Sequence, residues 1–303
     1  MYRNILVGFD GSDHGRDAAA LARSIAQATG ARLTFVCAFY DVPDFLPEPL
    51  RAQVRERAEK ALRDAGDEAG DARRKLVSHR SPARALFEFA EEGDADLIVL
   101  GSSRQAPAGH VRCGDVGAKI VAGAPCAVAI APAGLREHEA RLRLVGVGVD
   151  EEKESRHALR AAIELARACG ARLHLMSVVE RIDPVPTWGF PFPVEDDAAV
   201  RAAAQRALDA AARAVPEDVA ARTAPLDGFP VARALADEAA TAGLDLLAVG
   251  SRGFGPLRRV LLGSVSSELT HDAPCALLVV PRGARDVNAT ETPVDRAAER
   301  VTG

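Results

Sequence analysis

The chain is one unit written twice, and this repetition constrains the fold more than any other feature. Ile5-Leu6-Val7-Gly8-Phe9-Asp10 and Val145-Gly146-Val147-Gly148-Val149-Asp150 are both short, mostly apolar runs that end in aspartate. After each comes an Ala/Leu stripe at helical spacing: Ala18, Leu21, Ala22, Ile25 and Ala26, then Ala158, Ala161, Ala162, Leu165 and Ala166. Such i, i+3, i+4 patterns predict amphipathic helices with one buried face. Gly30-Ala31-Arg32-Leu33 and Gly170-Ala171-Arg172-Leu173 match in type and order, so a glycine ends each helix and a second strand follows. The copies diverge in the middle. A Pro-rich connection, Pro43 to Pro49, leads to a charged helix from Leu50 to Ala69; the second copy has a longer Pro/aromatic loop, Asp183 to Asp197, and an alanine-rich helix from Ala198 to Ala214. That loop reads as a lid, a plain connection or a packing arm. The copies converge again at a third strand (Lys75 to His79; Val219 to Thr223), a third helix (Ala83 to Glu92; Val231 to Ala242) and a fourth apolar run. From Gly101 to Pro132 and from Gly250 to Pro281 they align without a gap.

Strands alternating with helices predict an α/β fold: two tandem, doubly wound, five-stranded parallel-sheet domains. The boundaries expected are 1–135 and 141–283, with a polar tail over 284–303. A doubly wound sheet takes ligand at the carboxyl ends of the strands where its winding direction reverses, here strands one and four. Each copy has its strand-one aspartate and its strand-four glycine loop on that edge. The last strands, Ala127 to Ala131 and Ala276 to Val280, are short and apolar. An apolar edge strand needs a cover, so the halves are expected to pair through these strands as an intramolecular pseudo-dimer. A further homodimer is left open.

Composition narrows the function. Net charge is -5, from 38 Lys and Arg against 43 Asp and Glu. That gives neither the electrostatic footprint of a nucleic-acid binder nor a polybasic membrane patch. Met1-Tyr2-Arg3-Asn4 runs straight into a strand, with no leader-like apolar stretch, and no run is long enough to span a bilayer. The five cysteines, Cys37, Cys113, Cys126, Cys169 and Cys275, form no C-x-x-C pair. Their number and spacing argue against a disulfide framework or zinc site and fit a reducing cytoplasm.

The second copy carries a glycine-rich loop, Gly250-Ser251-Arg252-Gly253 through Gly263-Ser264-Val265, between an apolar strand ending at Val249 and a helix start. Glycines let backbone approach an anion closely, and free N–H groups at a helix start donate to it. A Walker A lysine is missing. A tight strand-to-helix turn without ligand is the alternative, as a simple turn or cap is for Asp150.

The spacing G-x2-G-x9-G-[S/T], together with Asp150 and the terminal Ala273-Pro274-Cys275-Ala276, resembles the universal stress protein family, and the resemblance runs from Tyr2 to Pro281. It implies an ATP-binding site in the second copy. Gly148 and Asp150 would meet the adenosine, Val178 would lie against adenine, and Val249 and Gly250 would border the nucleotide. Ser251, Arg252 and Gly253 would lie along the phosphates, and Gly263, Ser264 and Val265 would hold them. ATP, ADP or AMP is the implied ligand, with Mg²⁺ arriving on it and no separate protein metal site. The first copy keeps Gly8, Asp10, Gly11, Ser12, Gly101 and Gly114, with Ala38 at the place of Val178, but has Arg104 at the second glycine and Asp115 at the serine, which predicts a weakened or altered site.

The expected function is a nucleotide-dependent stress-response regulator, with an unidentified protein partner reading the bound state. A tandem scaffold with structural or no nucleotide, and a slow ATPase, are the alternatives. No S-G-G-x-D-S loop, G-x-S-x-G elbow or H-E-x-x-H motif is present, so no catalytic residue is assigned. His14, His157 and His174 show no ligand spacing.

Overall fold

The computed structural model describes residues 1–43, 45, 47–66, 70–180, 197–251 and 263–281. The Asp183–Asp197 connection up to position 196, Arg252, Gly253, the end of the first charged helix and the 284–303 tail lie outside the described residues.

The first copy folds as β1 (Asn4–Gly8), α1 (Asp13–Thr29), β2 (Arg32–Tyr40), α2 (Glu48–Asp64), β3 (Arg73–His79), α3 (Pro82–Glu92), β4 (Leu97–Gly101), α4 (Asp115–Gly123) and β5 (Ala127–Ala131). The second repeats it as β6 (Leu144–Gly148), α5 (Lys153–Cys169), β7 (Arg172–Val179), α6 (Asp197–Ala214), β8 (Ala221–Asp227), α7 (Val231–Ala242), β9 (Leu246–Ser251), α8 (Ser264–Leu269) and β10 (Ala276–Pro281). Strand order is β3-β2-β1-β4-β5-β10-β9-β6-β7-β8, one ten-stranded sheet. All pairings within a copy are parallel. At the junction β5 meets β10 antiparallel, with Val128 opposite Val279 and Ile130 opposite Leu277. The two apolar edges therefore cover each other, as their composition requires.

Strand alternation divides the core. Ile5, Val7, Leu97, Val99 and Ala129 face α1 and α2, and their cluster continues into Val145, Val147 and Leu278 of the second copy. Leu6, Ile98, Leu100, Val128 and Ile130 face α3 and α4, and that cluster continues into Leu247, Leu277 and Val279. Strands buried on both faces read as continuous apolar runs, which is why they were visible in the sequence. The outermost strands differ. The third strand of the second copy runs Ala221–Asp227, displaced from the expected Val219–Thr223. Val219 is a buried anchor before the strand, and Pro225 is tolerated because β8 is an edge.

Carboxylates fix the strand starts. Asp96 accepts from the N–H groups of Arg3 (2.6 Å) and Asn4 (3.1 Å), and Asp245 accepts from those of Arg143 (2.7 Å) and Leu144 (2.8 Å). Each aspartate thus supplies acceptors where strand one begins. A third carboxylate holds the connection between copies. Asp17 is fully buried and accepts from the backbone of Gly134 (2.9 Å) and Arg136 (2.9 Å) and from the Arg136 guanidinium (3.2 Å). Arg136→Ala leaves this charge with backbone donors and the His14 ring, 3.8 Å away. We expect a loss of about 3 kcal/mol, read as a lower denaturant midpoint; an unchanged midpoint would show that the guanidinium contributes nothing.

Candidate functional site

The turn after β6 places Asp150 at the mouth of a cleft. Its Oδ1 accepts from Glu152 N–H at 2.9 Å, the local bond that shapes the turn. Asp10 does the same for Ser12 N–H at 3.0 Å. The copies then differ in how the next helix starts. Ser12 caps α1 by accepting from Gly15 N–H at 3.1 Å. Glu152 makes no side-chain cap bond; instead the buried Ser155 hydroxyl, where the first copy has Gly15, meets the carbonyls of Asp150 (3.1 Å) and Glu152 (3.0 Å).

A cavity of about 460 Å³ opens at the carboxyl ends of β6 and β9. Its size is ordinary for a small-molecule site. Of the residues expected from the sequence, it brings together Gly148, Asp150, Val178, Val249, Gly250 and Val265. Ser251 and Ser264 stand next to wall residues in the chain, and Gly263 two positions before Val265, without forming the wall; Arg252 and Gly253 lie outside the described residues. Met176, Val231 and Leu235 complete the apolar interior, and Val200, Ala203, Ala204 and Ala207 of α6 close one side. This last set repeats at helical spacing and is the signal that a reading centred on glycines passes over. The rim is acidic: Glu151, Glu152, Glu154 and Glu180 join Asp150, and no Lys or Arg lines the cavity among the described residues. The Arg206 guanidinium engages Glu151 at 2.9 Å from outside.

Two glycines have structural duties. A Cβ on Gly101 would lie 1.9 Å from the His14 carbonyl oxygen, and one on Gly250 would lie 2.4 Å from that of Glu154. Both positions let the first helix of the copy cross the end of strand four. Gly263 differs. Its backbone is extended, and among the described residues a Cβ would meet only the Ser266 hydroxyl, at 3.6 Å.

Ser264 does not cap α8. Gly263 is the cap residue, no side chain closes that cap, and α8 is six residues long. The Ser251 hydroxyl is buried without a hydrogen-bond partner among the described residues, whereas Ser102, its counterpart, donates to the Ala131 carbonyl at 2.7 Å.

The first copy's loop is engaged in other bonds. Gly8 and Gly101 end β1 and β4, and Ala38 lies in β2. Arg104 is exposed in the turn, Gly114 caps α4, and Asp115 is the first, exposed residue of that helix and makes no cap bond. Asp115 is therefore a first-turn acidic residue that suits the helix dipole. Several of the loop's N–H groups already have acceptors. Ser103 donates to Arg112 carbonyl (2.7 Å), Gly109 to Ala133 (2.8 Å), Val111 to Ala273 (2.7 Å) and Cys113 to Thr270 (2.7 Å). The last two bonds cross to the second copy. Leu100, where the second copy has Val249, also lies against Gly8, with its Cδ2 2.6 Å from the Cβ position.

Other sequence candidates resolve as structural. Burial pushes the Cys113 thiol up to about 12, so it stays protonated and poorly nucleophilic at neutral pH. His174 is buried, accepts from Arg222 Nε (2.9 Å) and meets Glu238 (2.7 Å). His14 is half-buried against Asp17. Among the described residues, no helix is long and apolar enough to cross a membrane and no group of three or more ligating side chains is placed to hold a metal.

Each copy, ordered 3-2-1-4-5, is a doubly wound α/β unit, and the second copy has ligand space at its switch point, where strand one meets strand four. The universal stress protein family model matches twice, over residues 1–132 and 142–281, and the chain belongs to that family. It is 41% identical over 133 residues to a Thermus aquaticus universal stress protein, covering 42% of this chain and 97% of that one. It is 27% identical over 293 residues to a Mycobacterium tuberculosis universal stress protein, covering 91% and 96%. In fold it is similar to a universal stress protein from Archaeoglobus fulgidus (TM-score 0.66, 17% identity, 92% of this chain and 98% of that one). A putative universal stress protein from Pseudomonas aeruginosa is also similar (TM-score 0.61, 17% identity, 93% and 94%).

Proposed function

We propose that the chain binds an adenine nucleotide in its second copy and serves as a nucleotide-dependent stress-response regulator in the cytoplasm. The observation that carries this is the cleft at β6 and β9, where Gly148, Asp150, Val178, Val249, Gly250 and Val265 converge. Its apolar interior suits a flat base. Asp150 keeps one carboxylate oxygen without a bond among the described residues, free to accept from ribose hydroxyls. Among the described residues, Gly263 leaves room for a phosphate near the Ser264 hydroxyl. ATP is the favoured ligand, with ADP and AMP taking the same pocket, and Mg²⁺ would arrive on the phosphates.

Bound nucleotide acts as a signal. Fast phosphoryl transfer needs fixed positive charge on the γ-phosphate and a positioned base, and the described wall has only carboxylates as ionisable groups. Turnover is expected below about 1 s⁻¹, the low end for enzymes. A partner senses the nucleotide only if it binds the two states differently. The direct test is to denature the purified protein and identify released nucleotide by chromatography. No released nucleotide together with no binding in an ATP titration ends this reading.

The acidic rim makes a further prediction. Glu152→Gln removes a charge that repels phosphate and should tighten ATP binding about two- to fivefold at low salt, less at high salt. Equal affinity for the two proteins at low salt would show that the rim does not oppose the ligand.

A further inference from the structure

A second cavity, of about 490 Å³, lies at the opposite edge of the sheet, by the amino ends of β1, β2 and β3. Its walls combine Arg32, Arg73 and Lys75 with Asn4, Thr34 and Phe89. Register places the polar set on one face: Asn4 pairs with Arg32, Leu6 with Thr34, Thr34 with Arg73, and Val36 with Lys75. Helix α3 covers that face and contributes Phe89. Among the described residues, three cations here meet one carboxylate, Asp71, in a chain whose net charge is negative. Arg32 donates to Asn4 Oδ1 at 3.2 Å. Arg73 and Lys75 form no hydrogen bond or ion pair through their side chains among the described residues.

The second copy is an internal control. There His174 pairs in register with Arg222, as Thr34 does with Arg73. His174 is 2% exposed and links the Arg222 guanidinium (2.9 Å) to Glu238 (2.7 Å). Glu238 precedes Asp245 at the spacing by which Phe89 precedes Asp96. The second copy thus fills this position with an imidazole and neutralises its arginine. The first copy has a short hydroxyl residue and a phenyl ring instead, so the space stays open and, among the described residues, no carboxylate pairs with the arginine.

We propose that this cavity binds a small organic phosphate. The excess of two positive charges matches a phosphate dianion. Arg73 offers a planar donor fork and Lys75 a point charge, the pair of groups that holds phosphate well. Leu6, Phe89 and Ala95 offer apolar surface to the rest of the molecule. The site lies at the sheet edge opposite the nucleotide cleft and stands whether or not that cleft holds nucleotide.

The test titrates the full chain with phenyl phosphate, with phenol and inorganic phosphate as separate arms, while amide NMR shifts are followed. Saturable shifts are expected at Thr34, Arg73, Lys75 and Phe89, weakening as salt rises, with phenol and inorganic phosphate each binding less well than phenyl phosphate. Arg73→Gln with Lys75→Gln, on an exposed edge strand, should weaken binding about tenfold or more. Thr34→His with Phe89→Glu copies the second half's arrangement and should abolish it. The absence of saturable shifts, shifts confined to the Val249 and Val265 cleft, affinity unchanged in the Arg73/Lys75 variant, or inorganic phosphate binding as well as phenyl phosphate would each overturn the proposal.

Discussion

Gly101→Ala is expected to destabilise the protein by about 3 kcal/mol or more, and Gly250→Ala by a similar amount. The new methyl at 101 would lie 1.9 Å from the His14 carbonyl oxygen and 2.5 Å from its carbon. The obstacle is helix backbone, which cannot turn aside as a side chain does. Helix α1 would have to lift from β4, opening a core that contains Ala18, Leu21 and Val99. Gly263→Ala is the matched control. Its methyl would make only ordinary contact among the described residues, at a backbone conformation open to any residue. Chemical denaturation of the three variants reads the difference. A Gly101→Ala midpoint equal to that of Gly263→Ala would mean that the close crossing of helix and strand is not what this glycine serves.

Gly263→Asp is expected to lower ATP affinity about a hundredfold or more, since a like charge set against phosphate costs several kcal/mol. It should leave the unfolding midpoint near that of the parent, because the position has room among the described residues. Gly114→Asp, the same change in the first copy, should leave bound nucleotide unchanged: N–H groups of the preceding loop already donate to Arg112, Ala133, Ala273 and Thr270. Nucleotide released on denaturation, measured for both variants, decides the matter. Equal loss from the two would place nucleotide in both copies and remove the asymmetry on which the proposed function rests.

The sequence by itself determined the repeat, the order of strands and helices, and the edge of the sheet where a ligand cleft forms. These follow from local hydrophobic period, from glycine stops such as Gly30 and Gly170, and from the rule that a parallel sheet opens where its winding reverses. Even the junction between copies was legible, because Ala127–Ala131 and Ala276–Pro281 are too apolar to remain bare edges. Only the tertiary structure decided what individual polar groups and glycines do. Asp96 and Asp245 read as parts of apolar runs, yet each supplies acceptors to the start of a strand far away in the chain. Gly250 reads as a nucleotide glycine, while its missing Cβ makes room for Glu154 of α5. The first copy's loop reads as altered because of Arg104 and Asp115, but it is also tied down by folding: its Val111 and Cys113 N–H groups are taken by Ala273 and Thr270 of the other copy. The physical reason is common to all three. Burial of apolar faces is set by spacing along the chain, whereas the partner of a donor, or the space beside an α-carbon, is set by segments that only folding brings together.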